Sequence, residues 1–341
     1  MRVAFVSTFL PDRCGLATYA GRILPVIEQA AAVRRVRVPY GQSFWLRRGM
    51  PLGPGRGVDL VHVNYEYALY GQAVVPLLAA CRLRGIPALV TQHAYDARSR
   101  PARYLNFWVR RLATRVVCHS PAVARREGYD HIPHGGLDNP YLADSPRGSR
   151  EAPLFLHTGF VRENKRLDAL LELFARRPGW RLEICGTHQS PEPSAYYRRC
   201  RALCDRTPGN VRWEERFLEE EELLRVYARA DVLVLFYRPT EDRYHSGVVA
   251  DALASGLPVV APPLPGIREQ IPEGCGLVLE GFDPAHLEQG LEAAMGRYRR
   301  WQERLAGLRR QFLWETVGRR YVEIYRELAG PRSRDASRRA A

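Results

Sequence analysis

LFLHTGFVRENKRLDALLELFAR, residues 154–176, reads as a buried strand, a short basic loop and a helix in quick succession. The apolar run closes at Thr158-Gly159, and a helical pattern follows over 166–176. A solid run without alternation is buried on both faces, and the helix after it implies a crossover to a parallel neighbour. Upstream, the same rhythm has already run once. VAFVS (3–7), DLVHVNYE (59–66), PALVTQH (87–93), TRVVCHS (114–120) and HIPHGG (131–136) alternate with helical patterns, the first over 18–28. Downstream it continues through RLEICG (181–186), VRWEERF (211–217), DVLVLFY (231–237) and PVVAP (258–262), with helices over 194–205, 219–230, from about 247, and over 267–271. The pattern is α/β: two Rossmann-like doubly wound sheets in tandem, joined near NPYLADSPRGSREAP (139–153). The expected boundaries are 1–148 and 149–312, with a disordered basic tail over 331–341.

Composition agrees with two domains. A chain of 341 residues is too long for one ordinary core, and 46% apolar residues exclude global disorder. The opening MRVAFVST is too short for a signal-peptide core. AVVPLLAAC (73–81) and DVLVLFY fall short of the ~20 residues that cross a bilayer. Seven cysteines, an odd number without a CxxC pair, read as reduced cytosolic thiols, and the two in CRALC (200–204) do not make a metal site. No metal or cofactor is expected. The charge is uneven: the first 150 residues hold 21 arginines against 9 carboxylates, and the remainder 30 basic against 28 acidic residues. A basic half attracts anions, whether phosphates, acidic glycans or anionic lipid headgroups at the inner membrane face. Nucleic acid is a poor partner, because no helix-turn-helix, aromatic platform or zinc signature accompanies the charge.

Ligands of doubly wound sheets bind beyond the carboxyl ends of the strands, so the loops that follow strands are the candidates. In TGFVRENKRLD (158–168), Arg162 and Lys165 are two cations in a loop leading into a helix, suited to a diphosphate. Lys165 is the only lysine among 51 basic residues. Had arginine served there, arginine-rich coding would have placed it, and a compact ammonium reaches a phosphate oxygen where a guanidinium clashes. In RYHSGVVADALASGLPVV (243–260), His245, Ser246, Gly247 and Val248 open a helix whose first amides and dipole form an anion cradle. Asp251 lies one turn in, placed to grip a ribose diol or to serve the helix dipole. Gly15, between the first strand and helix, is half of a glycine-rich phosphate loop, while the absence of G-x-G-x-x-G counts against a dinucleotide-dependent oxidoreductase. His93, His119 and His134 gather at strand ends, and His93 is a candidate partner for a bound sugar. No Ser-His-Asp order or paired carboxylates argue for a hydrolase.

Taken in order, CGLATY, VNYEYALYG, HTGFVRENKRLDALLELF, FLEEEELLRVYARADVLVLF, ADALASGLPVVAPPLPGIREQI and WETVGRRYVEIYREL resemble the retaining glycosyltransferases of family 4, with the GT-B fold. The resemblance implies two Rossmann-like domains facing a cleft, with residues 313–330 as a closing helix that packs back on the first domain. It implies a nucleotide sugar as donor and a glycan, lipid-linked or other hydroxyl acceptor. Lys165, Arg162 and the amides at Ser246, Gly247 and Val248 would hold the donor diphosphate, and Asp251 the ribose. Base contacts would come from Gly186, Phe217 and Leu218, and a sugar contact from His93, with Gly15 against the phosphates. One departure stands out: the family's first acid, eight residues before Asp251, is replaced by Arg243, so Glu241 or Asp242 could serve only in a re-registered loop. That departure keeps open a second reading, a catalytically impaired nucleotide-sugar-binding partner subunit.

Overall fold

The computed structural model describes residues 1–12, 14–38, 57–95, 99–143, 147, 152–188, 192–239 and 243–330. They form two compact units, one of Met1–His134, Asp242–His245 and Trp314–Ala341, the other of Gly135–Glu241 and Ser246–Leu313.

The first unit runs β1 (Arg2–Ser7), α1 (Gly15–Glu28), β2 (Ala32–Arg37), β3 (Leu60–Tyr65), α2 (Tyr67–Tyr70), α3 (Val74–Leu83), β4 (Ala88–Gln92), β5 (Ala94–Tyr95), α4 (Arg100–Leu112), β6 (Arg115–Cys118), α5 (Pro121–Glu127) and β7 (Asp130–His131). Six of its strands form one parallel sheet in the order β2-β1-β3-β4-β6-β7. Central β3 and β4 are buried throughout, which is why they read as solid apolar runs. By contrast β2, AVRRVR, is a half-exposed edge strand whose arginines face solvent, and its polar sequence conceals it. α1 begins at Gly15, earlier than position 18, and buries Leu16, Tyr19, Ala20, Ile23, Leu24 and Ile27 along one face.

The second unit runs β8 (Leu154–Thr158), α6 (Leu167–Arg176), β9 (Arg181–Cys185), α7 (Ala195–Cys204), β10 (Val211–Glu214), α8 (Glu220–Arg229) and β11 (Val232–Val234). After β12 (Arg243–Tyr244), which pairs antiparallel with β5 in the first unit, it resumes with α9 (Gly247–Ala254), β13 (Val259–Ala261), α10 (Pro265–Gln270), β14 (Gly276–Val278), α11 (Pro284–Met295) and α12 (Tyr298–Leu308). Its parallel sheet has the order β10-β9-β8-β11-β13-β14. The chain ends its described course in α13 (Trp314–Ala329), part of the first unit. α13 packs on α1, and Gly318 sets the approach: a Cβ there would lie 2.6 Å from Val26.

The units part at His134–Gly135, ahead of the boundary expected at 148/149. Side chains explain the difference. Asn139 donates to the Leu224 carbonyl at 2.8 Å and to Ser255 Oγ at 3.2 Å, and Gly136 pairs with Leu313. Arg147 then donates to the Tyr227, Ala230, Ser255 and Gly256 carbonyls, so one guanidinium caps the C-termini of α8 and α9 together. The expected tail over 331–341 lies outside the described residues.

A buried polar chain ties α13 into the first unit. Tyr19 donates to Tyr321 (3.0 Å), Thr91 donates to Tyr321 (3.1 Å), and His62 bridges Thr91 (2.7 Å) and Tyr325 (2.5 Å). Burial pushes the His62 imidazole down to about 3, so it stays neutral in the fold. The unfolded chain protonates this histidine near pH 6.5, the folded chain only near 3. Stability is therefore expected to fall as pH drops from about 6.5, by about 1.4 kcal/mol per pH unit for each such histidine. Urea denaturation at pH 5 and pH 7 measures this, and His62→Phe should lower stability at neutral pH while removing about one proton from the slope. A slope unchanged by the substitution would take His62 out of the account.

Candidate functional site

In the second sheet, strand order runs outward from β8 in both directions, through β9 and β10 on one side and β11, β13 and β14 on the other. Connections leave opposite faces on the two sides, so the loops after β8 and β11 diverge and leave a crevice at the switch point. Two glycines shape its floor. Gly159 has a φ of +107°, which side chains rarely adopt, and Gly186 approaches so closely that a Cβ would overlap the Gly159 carbonyl. Their amides stay in the ladder: Gly159 donates to the Cys185 carbonyl at 3.0 Å and Gly186 to that of Glu214 at 3.1 Å. The loop that follows is zipped to the end of β11, with the Arg238 amide 2.7 Å from the Asn164 carbonyl and its guanidinium 2.7 Å from Glu163. Arg166 turns the chain into α6 in a left-handed conformation (φ 49°), stacked 4.3 Å above the Phe236 ring and donating to the Phe282 carbonyl.

These constraints deliver Lys165. Its ammonium lies 5.3 Å from the centroid of the Tyr237 ring and rests against Gly159, 2.7 Å from where a Cβ would stand; Val248 approaches the same point to 3.7 Å. Among the described residues, no carboxylate pairs with it. Burial, followed by the positive charge of Arg162, lowers Lys165 to about 8. Arg162 itself is exposed at the mouth of the loop. Behind the lysine, His157 Nδ1 donates to the Val234 carbonyl (3.1 Å), and burial with the nearby lysine charge lowers the imidazole to about 4. An unpaired, partly desolvated cation is costly in a fold, and an anionic ligand would relieve it.

α9 contributes the other half. The Ser246 amide is already taken, donating to Gln270 Oε1 at 2.7 Å, while Gln270 Nε2 donates back to the Ser246 carbonyl at 3.0 Å. The expected three-amide cradle over Ser246–Val248 therefore reduces to Gly247 and Val248, whose amides have no hydrogen-bond partner among the described residues. Gln270 was not legible in the sequence, since it acts across 24 residues from another helix. A cavity beside this helix start is lined by Thr158, Gly159, Phe160, Gly186, Phe217, Leu218, Tyr227, Val248 and Asp251. Gly186, Phe217, Leu218, Val248 and Asp251 are thus brought together. Phe217, half-exposed, faces Phe160 with ring planes 29° apart. Asp251 is buried and accepts from the Leu137 amide at 3.2 Å, a structural duty beside any ligand contact.

The remaining candidates belong to the first unit. Gly15 opens α1, and a side chain there would meet nothing within 4 Å of the protein, so packing does not require the glycine. His93 is engaged on both ring nitrogens, by Asn64 Oδ1 and, at 3.2 Å, by His119; Tyr19 meets the ring edge-on at 4.5 Å. Burial, then His134 and His62, holds His93 well below the ordinary imidazole range. A contact from this ring to a sugar would displace one of those partners. His245 groups with the first unit, its ring centroid 6.2 Å from that of His119. Arg243 is fixed by backbone pairing with Tyr95, whereas Glu241 lies outside the described residues.

Comparison with known proteins follows this division. A family described as "Glycosyltransferase Family 4" matches residues 5–126, and one described as "Glycosyl transferases group 1" matches residues 152–296. A glycogen synthase of Thermus thermophilus is 26% identical over 213 residues, covering 57% of this chain and 46% of its own. The chain spans less than half the length of the first curated relatives it matches. Among solved structures, HepE of Anabaena in complex with UDP-glucose superposes with a TM-score of 0.69 at 14% identity, over 95% of this chain and 99% of that one. Sucrose-phosphate synthase of Thermosynechococcus elongatus gives 0.65 at 19% identity, over 96% and 99%. At such identities the likeness is one of fold, the GT-B architecture of two doubly wound α/β domains.

Proposed function

We propose that this chain, which the models of the family 4 and group 1 glycosyl transferases match over residues 5–126 and 152–296, moves a sugar from a nucleoside-diphosphate sugar to a hydroxyl acceptor, with retention of configuration and without a metal. The observation that carries the reading is the Lys165 ammonium, held against Gly159 next to the start of α9 and paired with no carboxylate among the described residues. Lys165 and Arg162, with the Gly247 and Val248 amides, would neutralise the departing diphosphate, the role a divalent cation plays elsewhere. Asp251 would meet the ribose, and the cavity walls at Gly186, Phe217 and Leu218 the base. The sugar's anomeric C–O bond to phosphate breaks as the acceptor oxygen bonds to the same face. The acceptor proton passes to a phosphate oxygen, so no protein nucleophile is required. UDP-glucose, named with HepE, is the first donor to try; the acceptor is a glycan or a lipid-linked hydroxyl.

A ligand at a hundredfold excess over its Kd stabilises the folded chain by about 2.7 kcal/mol, so thermal-shift titration with UDP, ADP and their sugars is expected to raise the melting temperature by several degrees for one base. Failure of every nucleotide would sink the proposal. Slow hydrolysis of the donor that binds separates an enzyme from a partner subunit, the reading that Arg243, paired in β12, favours.

A further inference from the structure

We propose that α4 is a membrane-docking helix that lies flat on an anionic bilayer, independently of what the second unit binds. α4 turns Ala102, Leu105, Asn106 and Val109 inward. Its outward side is neither polar throughout nor covered. Phe107 is 60% exposed and Tyr104 51% exposed, and with Trp108 they form one aromatic ridge, ring centroids 5.3 Å (Phe107–Trp108) and 6.2 Å (Tyr104–Trp108) apart. Arg103 and Arg111 stand one turn before and after Phe107, with Arg100 and Arg110 on the same outward arc.

Charge complementarity identifies the occupant. α4 carries no acidic residue, and Arg100, Arg103 and Arg111 make no ion pair with any described residue; Arg110 alone reaches a carboxylate, Glu127, at 3.5 Å. Arginines that stabilise a fold are paired, whereas these surround apolar rings facing out. α3, which packs against α4, ends in Arg82-Leu83-Arg84 with Leu83 89% exposed, setting an exposed apolar side chain between two arginines that make no ion pair among the described residues. Rings at the headgroup level and guanidiniums on lipid phosphates are what an interfacial helix offers. Exposed rings along one helix face suit a flat surface; a single nucleic-acid strand is held in a groove with rings spaced for bases. No described helix is long and apolar enough to cross a membrane, so contact at this face would be peripheral.

Co-sedimentation of the full chain with phosphatidylcholine vesicles, with or without about a third of phosphatidylglycerol, tests this. Binding is expected only with the anionic lipid, and Tyr104→Ser/Phe107→Ser should weaken it about tenfold or more with every arginine intact. Arg103→Gln/Arg111→Gln should weaken it comparably and reduce its salt dependence. All four side chains are exposed, and an unchanged melting temperature verifies folding. Wild-type chain left in the supernatant with anionic vesicles would overturn the proposal. So would undiminished binding by the aromatic variant, since charge alone would then suffice, or equal retention on single-stranded DNA lost through the same aromatic pair.

Discussion

Lys165→Arg is expected to cut by half or more the stabilisation that a nucleoside diphosphate confers, while leaving the melting temperature of the free protein nearly unchanged. Both changed and unchanged quantities follow from the packing. The ammonium occupies a gap between the Gly159 backbone and the Tyr237 ring, and a planar guanidinium has no room to turn there. Its charge would be carried outward, toward Arg162, and the contact with phosphate lost. A hydrogen bond to a charged group contributes about 1.5–3 kcal/mol, so Kd should weaken by roughly ten- to a hundredfold or more. Calorimetric titration of both proteins with the nucleotide that gives the thermal shift provides the comparison. Wild-type affinity in the arginine variant would reduce Lys165 to a replaceable charge. pH offers a second handle with two opposite signs. With Lys165 lowered to about 8, diphosphate affinity should decline as pH rises through that value. Between about 8 and 10.4 the unfolded chain holds the proton that the folded chain has released, so this lysine makes the free protein more stable with rising pH over the same window. Lys165→Met should flatten both trends.

What the sequence discloses depends on how local its cause is. β3, β4 and β8 are legible because burial on both faces leaves only apolar residues. β2 is hidden because an edge strand tolerates Arg34, Arg35 and Arg37, which erase the strand signature. The joint between units is misplaced for a similar reason. Pro, Ser and charge over 139–153 suggest a linker, yet Asn139 and Arg147 bind that segment to α8 and α9 through contacts about 80 to 120 residues distant in sequence. In the site, Lys165 announces itself by being a lysine at all. Its geometry does not, because Gly159's φ and the Gln270 clamp on Ser246 are properties of the assembled sheet and helices. His93 shows the limit most clearly. Its place after a strand is legible, but the register that sets Asn64 beside Thr91, and so brings the asparagine to the neighbouring imidazole, is not.

Gly159→Ala should imitate the loss of Lys165 without touching a charged residue. At a φ of +107° an alanine costs about 1–3 kcal/mol of backbone strain, a drop of a few degrees in melting temperature that the second unit's core can absorb. The larger effect is on binding. The new methyl would stand 2.7 Å from Nζ, closer than atoms pack, and the yielding partner is the flexible lysine rather than any backbone. The ammonium swings away from the start of α9, and nucleotide affinity should fall about as far as in Lys165→Ala. If one ammonium mediates both effects, Gly159→Ala/Lys165→Ala binds no worse than either single variant, and the coupling energy equals the single loss of about 1.5–3 kcal/mol. Additive losses would mean that the glycine serves the ligand through its own backbone. Gly186→Ala provides the contrast: its methyl would strike the Gly159 carbonyl, which cannot swing aside, so the fold itself should weaken whether or not Lys165 is present.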